Sequence, residues 1–393
     1  MSEIVITAAA AVTALGDLAE TWRGLMLGRT AIAPGGLPGP LAQWPVAAVA
    51  NLDAPAGSAA RLAALVGRLA GQLPEIPAAA GLVVATTKGA ADELLADPAG
   101  PWAGQPWALE RLLGAEFGLA GPRRTVSAAC ASGTLAVITA AQQLRAGLGP
   151  ATFLVVGLDL LSVFVTSGFA RLQALTKTEC RPFDRQRDGL ALGEGAGALL
   201  LATRTEARRR AWPVLAVLRG WGVSGDAGHI TAPCREAGGL LRALDRCTDH
   251  GRHRVGAINA HGTGTRFNDA MEIRAFRERF APQVPFHSLK GAIGHCLGAA
   301  GVIELAVATS SLAAGWIPPT VGLAEPDENL GNRAGARPFD LIHPSILSCN
   351  SGFGGINAAV LLAGPALGRP PGAKPGKSGG VADRMQPLPE TGS

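Results

Sequence analysis

Short apolar runs alternate with longer stretches of helical spacing along most of the chain. Residues 4–7, 81–87, 152–157, 198–202 and 214–223 read as strands, several of them apolar on both faces like the middle of a buried α/β layer. Residues 19–27, 60–73, 107–117 and 134–146 carry helical spacing between them. The rhythm returns in the second half, with strands at 255–260 and 285–289, helices at 236–247, 269–280 and 298–313, and a closing apolar pair at 346–348 and 358–362 around a glycine-rich turn. Such alternation predicts a layered α/β fold. Strand 214–223 is expected to continue the first sheet, giving halves 1–232 and 233–364. From 365 to 393 the chain is rich in Gly, Pro and Lys and predicts a disordered tail.

Composition narrows the class. Of the 393 residues 48% are hydrophobic and 17% charged, which calls for a large apolar interior or a subunit interface. No apolar run reaches the length needed to span a bilayer, and Met1-Ser2-Glu3 lacks the basic start of a secretory leader, so a soluble cytoplasmic protein is expected, with no membrane partner. The six cysteines form no CxxC pair and no zinc-like spacing, so no metal site is expected. A net charge of +5, scattered without aromatic interleaving, speaks against nucleic-acid binding. That surplus suits an acidic partner instead, with Arg123, Arg124 and the run Arg208-Arg209-Arg210 as candidates for its docking.

Chemistry enters at Val126-Ser127-Ala128-Ala129-Cys130-Ala131-Ser132-Gly133. Small residues leave the Cys130 sulfur uncrowded, and the helical stretch from Thr134 would place it at a helix N-terminus. A helix end there predicts a lowered thiol pKa, by roughly 1.5 units. Two histidines stand in glycine-flanked loops after strands: His261 opens His-Gly-Thr-Gly-Thr, and His295 closes Lys290-Gly291-Ala292-Ile293-Gly294-His295. A third such loop runs Ser351-Gly352-Phe353-Gly354-Gly355-Ile356-Asn357.

These elements, with Gly193-Glu194-Gly195-Ala196-Gly197, Cys180-Arg181-Pro182-Phe183-Asp184-Arg185 and Ala11-Val12-Thr13-Ala14-Leu15-Gly16, occur in the order found in β-ketoacyl-acyl-carrier-protein synthases. The resemblance runs from Ile4 to about Leu362. It implies the thiolase-like fold, a five-layer α/β/α/β/α sandwich built of two similar halves. It further implies decarboxylative Claisen condensation of an acyl primer with malonyl-acyl carrier protein, in fatty-acid or type II polyketide or polyene synthesis. Cys130 matches the family's acyl-accepting nucleophile, and His261 and His295 its two active-site histidines. Lys290 and Glu304 match a buried ion pair beside them. The backbone N–H groups of Cys130 and Phe353 match the oxyanion hole, with Phe353 also a gate, and Thr263 and Thr265 match the hydroxyls that hold the phosphopantetheine arm.

No resident cofactor is implied, since the substrates ride on the carrier protein's phosphopantetheine. The implied partners are acyl carrier protein and a second subunit, as a homodimer or as a heterodimer with a chain-length-factor-like chain. The alternatives are a non-catalytic chain-length-factor-like subunit and a thiolase-like acyltransferase. The intact Cys130 argues against the first, and the His261 loop with Lys290 against the second.

Overall fold

The structure, a computed structural model, describes residues 3–96, 104–147 and 149–365. The expected tail lies outside them apart from its first residue. An 11-stranded sheet holds two five-strand sets and a short ribbon, Gly16–Asp17, on the first strand. The first set is β1 (Ile4–Thr13), β2 (Gly81–Ala85), β3 (Arg123–Val126), β4 (Thr152–Asp159) and β5 (Gly195–Thr203). The second is β6 (Ala216–Gly225), β7 (Ala257–Asn259), β8 (Phe286–His287), β9 (Ser345–Gly352) and β10 (Ile356–Ala363).

Across the sheet the sets run β3-β2-β4-β5-β1 and β8-β7-β9-β10-β6. Counted along the chain, both follow the order third, second, fourth, fifth, first. In both, the second strand pairs parallel with the third and the fourth, and the remaining pairs are antiparallel. The sets meet where Ile4–Ile6 pairs antiparallel with Ala216–Leu218. By this order β6 opens the second set. The fold therefore divides ahead of residue 216, not at 232: the strand expected to extend the first sheet pairs with β1 but belongs to the second repeat.

Period-two alternation sorts side chains between layers. Val83 and Ala85 of β2 face a central core, and Leu82 and Val84 face an outer one. Ala257 and Ile346 of the second set also face the central core, whereas Ile258 and Leu347 face a third. The central layer is made by α2 (Ser132–Ala146) and α5 (Ala300–Ala314). Outside the first sheet lie α1 (Ala59–Ala70) and Ala108–Glu116, and outside the second lie Gly238–Cys247 and α4 (Arg266–Arg279). Helices, sheet, helices, sheet, helices make five layers.

One expectation needs correction. Leu297–Ala314 is 18 residues long with mean hydropathy 1.6, enough by length and composition to cross a membrane. It is apolar because it is the central helix, with 78% of its length buried inside the protein. Val302, Ile303, Leu305 and Val307 are wholly enclosed, each contributing about 1.5–3 kcal/mol of burial. α2 packs closely on α5, and a Cβ on Gly133 would lie 2.9 Å from the Val302 backbone nitrogen. That packing brings the helix after Cys130 onto the second half.

Candidate active site

Cys130 lies in the turn between β3 and α2. Ala129 turns the chain with φ +49°, a left-handed conformation that costs an alanine energy and must be held by its surroundings. Ser132 holds it: its Oγ accepts the Ala128 N–H at 2.8 Å and donates to the Ala129 carbonyl at 2.6 Å. The helix starts at Ser132 with Ala131 as its N-cap, two residues earlier than the sequence suggests, and Cys130 precedes it. The expected low thiol pKa is not found. Only 7% of Cys130 is exposed, and burial pushes its thiol up to about 12, outweighing the nearby Lys290 charge that pulls the other way.

His261 stands two residues beyond β7. Carboxylates of α4 shape its loop: Glu272 accepts the N–H groups of His261 (2.7 Å) and Gly262 (2.6 Å), and Asp269 those of Thr263 (3.0 Å) and Gly264 (3.2 Å). His295, in the second half, is held by hydrogen bonds to the first. Its N–H donates to Ala191 at 2.8 Å, and its carbonyl accepts from Gly193 at 3.0 Å, which is where the Gly193–Gly197 motif acts. The two imidazoles meet edge to face with centroids 5.2 Å apart, and His295 Nε2 is 3.0 Å from Cys130 Sγ.

Hydrogen bonds set the tautomers. His261 Nδ1 faces the Asn350 amide nitrogen at 3.2 Å, and His295 Nδ1 faces the Leu297 N–H at 3.3 Å. A nitrogen facing a donor accepts, so both protons sit on Nε2. Burial, with the Lys290 charge second, holds both rings well below the usual imidazole range, so both are neutral at pH 7.

One ligand atom each from Cys130, His261 and His295 lie within 4.8 Å of one another, close enough for a soft metal ion. Those tautomers oppose it. A metal on the Nε2 atoms would need the protons moved to Nδ1, where each would face a donor instead of an acceptor.

Behind the histidines, Lys290 Nζ donates to Glu304 Oε1 at 2.7 Å, both side chains being 2% exposed. Burial works against the ammonium charge, but the carboxylate prevails and the Lys290 pKa is raised. Glu304 Oε2 accepts from Asn350 at 2.9 Å, and Thr134 of α2 donates to Asn350 Oδ1. Asn350 and Thr134 were not singled out from the sequence. The only signal was Asn350's place at the head of the glycine turn.

Cys130, His261 and His295 open into a cavity of about 380 Å³, also lined by Thr263, Thr265 and Phe353. The two threonine hydroxyls are 2.9 Å apart. Phe353 stacks on Phe169 of α3 (Val163–Arg171), with centroids 5.6 Å apart at 26°. Gly352 lets the Phe353 turn approach the Cys130 turn, since a Cβ there would meet the Ala128 oxygen at 3.1 Å and the Ala131 nitrogen at 3.3 Å. Arg266 also lines the cavity, whereas Arg123, Arg124 and Arg208–Arg210 do not. Arg209 and Arg210 are instead paired with Glu206.

The sequence matches the N-terminal domain of the beta-ketoacyl synthases over residues 105–207 and their C-terminal domain over 215–324. It is 35% identical over 290 residues to a putative polyketide beta-ketoacyl synthase of Streptomyces cyaneus, covering 70% of this chain and 68% of that protein. The chain belongs to the β-ketoacyl synthase family. It is also 33% identical to the mitochondrial 3-oxoacyl-[acyl-carrier-protein] synthase of Arabidopsis thaliana, over 63% of this chain and 58% of that protein. Among solved structures it is similar to the ishigamide ketosynthase/chain length factor (TM-score 0.83, 25% identity, 92% of this chain and 99% of that one). It is similar, too, to a ketosynthase in complex with its chain length factor from Xenorhabdus doucetiae (TM-score 0.76, 26% identity, 92% and 98%). The five-layer, two-repeat architecture is thus the thiolase-like fold of the ketosynthases.

Proposed function

We propose that this β-ketoacyl synthase condenses an acyl primer held on Cys130 with malonyl-acyl carrier protein, in fatty-acid or type II polyketide synthesis. The observation that carries the reading is the convergence of Cys130 Sγ with two neutral Nε2–H donors at the base of one cavity.

In the first half-reaction the Cys130 sulfur attacks the primer thioester, and the phosphopantetheine thiol leaves with the proton. His295 Nε2–H, 3.0 Å from the sulfur, stabilises the thiolate as it forms and so offsets the burial that disfavours it at rest. In the second, His261 and His295 donate to the malonyl thioester oxygen. The bond to the carboxylate breaks, carbon dioxide departs, and the electron pair is held as an enolate. Neutral donors suit this step, because imidazolium would also grip the carboxylate that must leave.

The enolate carbon then attacks the Cys130 thioester. Its oxygen takes up charge against the N–H groups of Cys130 and Phe353, and the Cys130 thiolate is expelled. We assign Lys290 and Glu304 to holding the field around the histidines, Thr263 and Thr265 to the phosphopantetheine arm, and Phe353 to gating. The sequence of steps uses no resident metal or cofactor.

The partners we propose are an acyl carrier protein and a second subunit of the same fold, in the cytoplasm. Two relatives in solved structures are described with a chain length factor, which supports a paired subunit. Incubation with acyl- and malonyl-carrier protein should yield a β-ketoacyl-carrier protein and one carbon dioxide per turnover. Absence of product with saturated, polyunsaturated and aromatic primers alike, with and without a chain-length-factor-like subunit, would overturn the reading.

A further inference from the structure

The two halves of the protein are tied beside the histidines through a single amide. Asn350, wholly buried on β9, uses both of its N–H bonds, one to His261 Nδ1 at 3.2 Å and one to Glu304 Oε2 at 2.9 Å. Its oxygen accepts from Thr134, also wholly buried, on the helix that follows Cys130. We infer that Asn350 is a positioning residue that fixes the tautomer of His261 through the direction of its amide. The inference deepens the condensing-enzyme reading, on which the importance of a protonated Nε2 rests.

Only one amide direction satisfies these partners. Turned over, Oδ1 would face the Glu304 carboxylate, an acceptor against an acceptor, and Nδ2 would take the place where Thr134 now donates. With the amide so held, His261 Nδ1 always meets a donor and its proton is kept on Nε2, the atom turned toward the cavity. The amide also stands between the ring and the charged pair. Glu304 gives Oε1 to Lys290 and Oε2 to Asn350, so neither of its oxygens is left to reach Nδ1, draw a proton there and make imidazolium. Thr134 links this arrangement to the helix that follows Cys130, whose own turn is held separately by Ser132.

The test uses the full chain labelled with ¹⁵N-histidine. In the wild type His261 should show a protonated Nε2 and a bare Nδ1 between about pH 6 and 8. Asn350→Asp keeps the shape but offers an acceptor at Nδ1. Its His261 spectrum should move to the Nδ1–H or imidazolium form, with malonyl decarboxylation falling on the order of 100-fold. Acyl transfer onto Cys130 should stay within about threefold, because His295 and the Cys130 turn are untouched.

Asn350→Ala, used if the aspartate variant does not fold, should show mixed tautomers and roughly tenfold slower decarboxylation. An Nδ1–H tautomer in the wild type, or an unchanged His261 spectrum and decarboxylation rate in the variant that folds, would overturn the inference. The ring spectrum needs no substrate. A wild type that lacks both activities yet shows the expected tautomer would sink the condensing-enzyme reading and leave the positioning role standing.

Discussion

Cys130 Sγ stands 3.0 Å from His295 Nε2, and the other ring nitrogen of His295 accepts the Leu297 N–H at 3.3 Å. The ring is thereby a fixed donor toward the sulfur, and in the proposed mechanism its part in malonyl decarboxylation does not need the thiol. Cys130→Gln should abolish condensation and retain or increase malonyl decarboxylation, followed as carbon dioxide release. Loss of both activities in a folded variant would contradict this division of labour.

Lys290 and Glu304 form an enclosed ion pair, and removing one partner strands the other. Lys290→Met should destabilise the protein by about 3–5 kcal/mol, because Glu304 is left as an uncompensated buried charge. Lys290→Met with Glu304→Gln should recover part of that loss. Urea unfolding of the single and double variants measures both, and a double variant no more stable than the single would count against a charge-based effect.

Gly352 is set by close approach. A methyl group 3.1 Å from the Ala128 oxygen must push the Phe353 turn away from the Cys130 turn. Gly352→Ala should lower the condensation kcat on the order of 100-fold, the cost of losing one oxyanion donor, while most of the stability remains. Wild-type turnover in that variant would mean that the Phe353 N–H is not part of the oxyanion hole.

Stability should fall in mild acid. His261, His287 and His295 are buried with pKa values below the ordinary 6.5, that of His287 lowered by burial to about 3, so each binds a proton on unfolding as the pH drops below 6.5. Their contribution is complete above that pH and is lost below it. Burial, with Asp269 beside it, pushes Glu272 up to about 8, and burial also raises Asp269, so these two act in the opposite direction. The three histidines outnumber the two carboxyl groups, so unfolding takes up protons on balance and stability falls as the pH drops from about 6.5 toward 4.5. Denaturant titrations across that range test it, and a flat or rising stability on acidification would contradict it.

Much of the site was legible because its parts carry local signals. Cys130, His261 and His295 stand between small residues in turns beside the sheets, and Lys290 and Glu304 lie on either side of His295. Asn350 was hidden because its role depends on Thr134, 216 residues away, and on β9 facing α5. Helix α3 was hidden for a different reason. Its start, Val163-Phe164-Val165-Thr166, favours a strand by composition. What makes it helical is capping: Ser162 Oγ accepts the Val165 N–H, and Asp92, 71 residues earlier, takes the Val163 N–H at 2.9 Å. The repeat boundary at β6 was missed since a strand's partners, not its residues, decide which set it joins.

The central claim is that Cys130 carries the growing chain. Intact-protein mass spectrometry after incubation with acyl-carrier protein, followed by peptide mapping, tests it most directly. The account predicts one acyl group per chain, located on Cys130 and absent from Cys130→Gln. No adduct with any primer, or an adduct that persists in Cys130→Gln, would contradict it.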